Sequence, residues 1–299
     1  MWIRKTHTTS DRIVMEEPRV SIIGLGQVGM ALLNAFSKCS IEVVSAFNRS
    51  GIDPSVKEKF PNFFFGKGFP GQKDPIGDLI IVAVSDDAIT EVAKKLSDLL
   101  TFDEHKNVIH CSGTHSSEIL KPLKEKGGKT ASFHPIKAIT RNTVSFEDIW
   151  FDMEGDEELL KTLEQLAEKL GASSFRVEPE AKPFLHASAV AASNYLVVLA
   201  DLLSKISALG NIPEHTAIKA LAPLMKNTLS NITELGVTDA LTGPIARGDV
   251  QTIEKHLQSL DSDPKLQALY KTLGREAVQI AERKKGVSPS LSTIKELLS

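Results

Sequence analysis

Beyond a polar leader covering residues 1–18, the stretch Arg19-Val-Ser-Ile-Ile-Gly24 is short, apolar and closed by glycine. Ala31-Leu-Leu-Asn-Ala-Phe36 follows with its apolar residues at helical spacing, so strand, turn and helix are predicted in that order. Ile41 to Phe47 reads as a second strand. Asp78 to Val84 is a continuous apolar run, the pattern of a strand covered on both faces. Asp86 to Leu96 predicts a helix, acidic at its start and bearing lysines toward its end as the helix dipole favours. Asn107 to Cys111 and Thr130 to Phe133 add further strands. Strands alternating with helices predict a parallel sheet with helices on both faces, and right-handed crossovers leave few ways to connect it.

The pattern changes near residue 180. Pro183 to Leu209, Pro213 to Leu235, Asp249 to Leu260, Lys265 to Arg283 and Ser288 to Leu298 all read as helices, with no strand candidate between them. Two domains are therefore expected, an α/β domain over residues 19–180 and a helical one over residues 181–299, hinged at Glu178-Pro-Glu-Ala181. The longest apolar stretch, Ala187 to Leu203, is interrupted by Ser188, Ser193, Asn194 and Asp201, and is expected to be a buried helix and not a membrane span.

Composition narrows the function classes. The chain has 299 residues, 41% of them hydrophobic, and a formal net charge of -3, enough apolar material for a dense core and no general attraction for nucleic acid or anionic membrane. Two cysteines, Cys39 and Cys111, cannot build a disulfide framework, so a reducing compartment is expected, and no export signal is evident; a cytoplasmic location follows as the expectation.

Gly24-Leu-Gly26-Gln-Val-Gly29 has dinucleotide-binding spacing, directly after a strand and directly before a helix. Gly24 would permit the tight turn, Gly26 the close approach of a pyrophosphate, and Gly29 close helix-to-strand packing, with the amides of Gln27 and Val28 facing the phosphates. A doubly wound parallel sheet of the Rossmann type fits best, followed by the all-helical domain. At the end of the second strand, where an NAD site usually carries Asp or Glu on the ribose hydroxyls, this chain has Asn48-Arg49-Ser50. A guanidinium there can pair with a 2′-phosphate and Ser50 can hydrogen-bond it, so the expected cofactor is NADP.

Active sites of open α/β sheets lie beyond the carboxyl ends of the strands. Ser85 follows one such end, His110-Cys-Ser112-Gly113-Thr114 another, and Ser132-Phe-His134-Pro135 a third. Hydride transfer to a carbonyl or imine needs a proton donor, a role open to His134, which could equally cap the strand end or pack at the domain junction, while Ser112 could hold the substrate oxygen or the histidine, or be a simple turn residue. The grouping of His110, Cys111, His115 and His134 lacks metal-ligand spacing, so no metal is expected. In the helical half, His186, Ser193, Asn194, Asp201 and Ser204 share one side of a helix, facing either substrate or solvent, and Leu241-Thr-Gly-Pro-Ile-Ala-Arg247-Gly-Asp249 reads as a rigid loop. Arg247 could clamp a carboxylate, and Asp249 reads as a helix N-cap.

From Arg19 to the C-terminus, these motifs together resemble a family that couples a Rossmann-like domain, similar to that of deazaflavin-using NADP oxidoreductases, with a helical C-terminal domain of unknown function. More remotely the architecture is similar to ketopantoate reductase, pyrroline-5-carboxylate reductase, prephenate dehydrogenase and the 6-phosphogluconate dehydrogenase group. The resemblance to prephenate dehydrogenases places the catalytic histidine at His134-Pro135 and a helping serine at Ser112. The lysine and asparagine of β-hydroxyacid dehydrogenases are not matched, since this chain has His186 and Asn194. These relatives imply a homodimer through the helical domain. The expected function is NADP-dependent hydride transfer on a small polar, possibly carboxylated, carbonyl, hydroxyl or imine compound in an interdomain cleft, with His134 as acid/base and Ser112, Asn194 and Arg247 orienting it. A prephenate- or arogenate-type dehydrogenase and a non-catalytic NADP(H) sensor are the alternatives.

Overall fold

The computed structural model describes residues 18–102, 105–140 and 142–299. The expected polar leader therefore lies outside the described residues, apart from Pro18. The chain divides into two compact units, with the boundary between Val190 and Ala191.

The first unit runs β1 (Val20–Ile23), α1 (Gln27–Lys38), β2 (Val43–Asn48), α2 (Pro54–Lys59), β3 (Phe64–Lys67), β4 (Leu79–Val82), α3 (Asp86–Leu99), β5 (Asn107–His110), α4 (Lys121–Lys124), β6 (Lys129–Ile136), β7 (Trp150–Gly155), α5 (Glu157–Lys169) and β8 (Ser173–Arg176). The strands form one sheet in the order β3-β2-β1-β4-β5-β6-β7-β8. From β3 to β6 all pairs are parallel, as expected; β7 then runs antiparallel to β6, and β8 parallel to β7. Among the described residues no helix links β6 to β7, and the chain returns alongside β6 instead of crossing over the sheet.

Two apolar layers explain why β4 is apolar throughout. Leu79 and Ile81 join the layer containing Leu32, Leu33 and Phe36 of α1 and Leu159 and Leu163 of α5. Ile80 and Val82 point the other way, onto Ile89, Val92 and Leu96 of α3. The one polar side chain inside β1, Ser21, bonds Ser45 Oγ at 2.7 Å and accepts from the Gly77 amide at 2.8 Å, so its burial costs little.

α6 (Lys182–Leu209) starts in the first unit and continues into the second, followed by α7 (Glu214–Leu235), α8 (Val237–Ala240), α9 (Gly243–Arg247), α10 (Val250–Ser259), α11 (Pro264–Lys285) and α12 (Pro289–Leu297). The expected hinge, Glu178 to Ala181, forms a single 3-10 turn leading straight into α6. The core of the second unit is small, with Ile253, Leu257, Val278, Ile294 and Leu298 in one cluster and Leu202, Leu260 and Leu266 in another. Asp249 caps α10 through the Thr252 amide, as its position suggested, whereas the expected rigid loop at Leu241 to Asp249 contains the short helix α9, closed by Gly248 in the left-handed conformation.

The expectation of a buried helix at Ala187 to Leu203 is corrected. Residues 179–209 form a helical stretch long and apolar enough to cross a membrane, and only 11% of its most apolar window is buried within the chain. Residues 191–199 are exposed all round, because the small second core reaches α6 only from Leu202 onward.

Candidate functional site

The glycine loop joins β1 to α1. Gly24 has φ of +99°, and a Cβ on it would lie 2.6 Å from the Ala83 carbonyl oxygen, so both conformation and space demand glycine. A Cβ on Gly29 would strike the Gly24 carbonyl oxygen at 2.0 Å, which is the close packing expected of the third glycine. Gly26 is different: its Cβ would meet nothing within 4 Å. It caps the N-terminus of α1 with no side-chain hydrogen bond, leaving the first amides of the helix open.

A groove of about 460 Å³ lies at this end of the sheet, lined among others by Gly24, Gly26, Gln27, Val28, Asn48, Arg49 and Ser85. Ser85, the residue before α3, leaves its hydroxyl free of any capping bond. The Asn48 side chain is a structural brace. Its Oδ1 accepts from the Leu25 amide at 3.3 Å, and its Nδ2 donates to Ser50 Oγ at 3.1 Å and to the Gly51 carbonyl at 2.8 Å. It thereby ties the glycine loop to the turn that carries Arg49. Ser50 accepts that bond but is not one of the lining residues.

Sequence reasoning missed Phe69, Glu91 and Lys95, which line the same groove. Lys95 pairs with Glu91 at 2.5 Å and lies 5.1 Å from the Phe69 ring centre. With Arg49 this makes two cations against one carboxylate, an excess of positive charge suited to an anion. The i, i+4 spacing of Glu91 and Lys95 was the available signal, but it is equally that of a solvated helix face.

A second cluster forms at the ends of β5 and β6. His134 on β6 lies opposite Asp152 on β7, and its Nδ1 donates to Asp152 Oδ2 at 2.6 Å. The other carboxylate oxygen accepts from Lys182 Nζ at 2.7 Å, with both side chains of that pair almost fully buried. Burial by itself would raise the Asp152 carboxyl, but the hydrogen bond from His134 and the charge and hydrogen bond of Lys182 outweigh it and hold it below its ordinary range. An ionised Asp152 can only accept, so neutral His134 carries its proton on Nδ1 and presents a lone pair at Nε2. The His134 side chain is 14% exposed, which leaves it open to a ligand.

His186 on α6 stands beside it, ring centres 5.9 Å apart. Gly113, after β5, touches both, since a Cβ there would lie 2.5 Å from His186 Nδ1 and 2.8 Å from His134 Nε2. His110 is structural. Its Nδ1 accepts from the Ser112 amide at 3.1 Å, its Nε2 lies 3.1 Å from the Ser116 carbonyl, and desolvation pushes its pKa down to about 4. Burial pushes the Cys111 thiol up to about 12, which keeps it protonated and unreactive.

Ser112 serves its own turn: Oγ accepts from the amides of Thr114 and His115, each at 3.2 Å. Asn194 and Arg247 belong to the second unit, Asn194 exposed on α6 and Arg247 exposed in the last turn of α9. Asp152, Lys182 and Glu154 escaped the sequence reading. Glu154 is buried on β7, where both its oxygens accept from Ser117.

Comparison with known proteins fits this architecture. A crystal structure of a candidate NADP oxidoreductase from Bacteroides fragilis superposes with a TM-score of 0.69 at 23% identity, covering 90% of this chain and 99% of that one. A Thermotoga maritima protein gives 0.69 at 29% identity, covering 89% and 99%. Pyrroline carboxylate reductase of Plasmodium falciparum, described with NADP bound, gives 0.59 at 13% identity over 95% and 100%. Curated proteins offer no match. Residues 5–135 match the model of a Rossmann-like domain, and residues 149–277 match a domain of unknown function, DUF2520. The chain therefore joins a Rossmann-like domain to a DUF2520 domain.

Proposed function

We propose that the protein is an NADP-dependent oxidoreductase moving a hydride to or from a small polar carbonyl, hydroxyl or imine compound. The observation that carries this reading is the groove at the glycine loop, where Gly26 leaves open space at the uncapped end of α1, next to Arg49 and Lys95. The amides of Gln27 and Val28 would hold the pyrophosphate, Arg49 the 2′-phosphate, and the Ser85 hydroxyl a further polar group of the cofactor. When bound, the nicotinamide supplies or accepts the hydride. The P. falciparum reductase described with NADP and an Aspergillus terreus reductive aminase described with NADPH share the fold and support the choice of cofactor.

His134 performs the proton transfer. Asp152 fixes its tautomer and ring orientation, so that Nε2 takes a proton from a hydroxyl or, once charged, returns it to a carbonyl or imine. Asn194 and Arg247 are proposed to contact polar groups of the substrate. The protein is further proposed to be a homodimer through α6 and α7, whose Val197 and Leu229 are 70% and 58% exposed in the single chain.

Titration with NADPH and with NADH, followed by nicotinamide fluorescence, tests the cofactor. NADPH should bind more tightly, and Arg49→Asp should weaken it by about 10–100-fold, the loss of one charged hydrogen-bonded contact, with NADH little altered. Equal losses for both would refute the 2′-phosphate assignment. Failure of the native protein to bind either would end the oxidoreductase reading.

A further inference from the structure

Two imidazoles of different character border one point in space. His186 Nδ1 is a buried atom with no hydrogen-bond partner among the described residues, and a buried polar atom of this kind calls for one. Both this nitrogen and His134 Nε2 pack against Gly113, where a Cβ would meet them at 2.5 Å and 2.8 Å, so the two lie close enough together for one heteroatom beside the glycine to reach both. Glycine lets the two rings approach, and any side chain there would press on both.

Building on the oxidoreductase reading, we propose that His134 Nε2 and His186 Nδ1 together receive a single substrate heteroatom, the oxygen of an alcohol/carbonyl pair or the nitrogen of an amine/imine pair. The nitrogens take unequal parts because their surroundings differ. Asp152 holds the His134 proton on Nδ1, so Nε2 faces the site as an acceptor. A second lone pair opposite it would repel the first, so His186 carries its proton on Nδ1 and donates.

A hydroxyl satisfies both: its O–H donates to His134 Nε2 while its oxygen accepts from His186 Nδ1–H. On oxidation the carbon–hydrogen electron pair departs as hydride to the nicotinamide of NADP+. The O–H proton passes to His134 Nε2, and the O–H bonding electrons form the new C=O bond. The carbonyl then accepts from two N–H groups, one on each ring, and reduction runs the same steps in reverse. Ethers and tertiary amines have no proton for His134, so the substrate class narrows to primary or secondary alcohols, or primary or secondary amines, and their oxidised partners.

Histidine-selective 15N NMR of the full chain, titrated with 2-propanol with and without NADP+, reads these nitrogens directly. Expected are a protonated Nδ1 on His186, a bare Nε2 on His134, and shifts at both that follow one midpoint. Gly113→Ala should abolish both responses, and His186→Phe the response at His134. A His186 proton found on Nε2, or a response confined to one ring, would overturn the proposal. A crystal structure of the ligand-free protein offers an independent check: a water bridging the two nitrogens is expected, and a protein group bonded to His186 Nδ1 would refute the pairing. If neither NADPH nor NADH binds, the oxidoreductase reading falls while the tautomers and bridging water still report on the two-imidazole site.

Discussion

Replacing Asp152 by Asn isolates the electrostatics beneath His134. Lys182 Nζ and Asp152 Oδ1 are 2.7 Å apart, with side chains 0% and 1% exposed, so the variant leaves an ammonium with neither water nor a carboxylate. Breaking a buried pair from one side costs about 3–5 kcal/mol. The alternative open to the lysine, giving up its proton at pH 7 against an ordinary pKa near 10.4, sets a ceiling of about 4.6 kcal/mol on the charge penalty. A loss of about 3–5 kcal/mol at pH 7 is therefore expected from urea unfolding. Trp150 fluorescence is a suitable signal, because Trp150 shares β7 with Asp152. The sign of the pH dependence separates charge from packing: a lysine depressed in the folded state makes stability rise with pH, so the deficit should shrink between about pH 7 and 10. Adding Lys182→Met removes the stranded ion and should recover part of the loss. A deficit below about 1 kcal/mol, or one that does not change with pH, would refute this account.

His110 supplies an acid-side prediction. Its pKa is pushed from 6.5 to about 4 in the fold, so the unfolded chain binds the proton first and stability should fall as pH drops from about 6.5 to 4, by about 3 kcal/mol at most. Urea midpoints across that range should decline in the native protein and decline less in His110→Asn; identical slopes would contradict the assignment. For the proposed dimer, Val197→Glu combined with Leu229→Glu should give monomers in sedimentation experiments where the native chain is dimeric, and a native chain that is monomeric at micromolar concentration would remove that proposal.

The glycine loop was legible because its first and last glycines answer local backbone demands that their neighbours in sequence already imply: Gly24 turns with positive φ, and Gly29 packs on Gly24 itself. The doubly wound sheet was legible for a related reason, since β4 is apolar on both faces and β1 nearly so. β7 was not. Its Asp152 and Glu154 break the apolar pattern, and nothing nearby in sequence reveals that Lys182, His134 and Ser117 satisfy them. The exposure of α6 was hidden in the same way, because an apolar helix reads as buried until the size of the core beside it is known.

Sequence alone therefore determined the succession β1, α1, β2, β4, α3, β5 and β6, the run of helices that follows, the dinucleotide-type loop and the candidacy of His134, all of which depend on periodicity or on residues a few positions apart. Tertiary structure decided what His134 can do. The antiparallel return of β7 brings Asp152 opposite it, and the start of α6 brings Lys182 to Asp152 and His186 to Gly113. Those contacts join residues far apart along the chain, and their energies arise from desolvation and close approach, which exist only once the elements have packed.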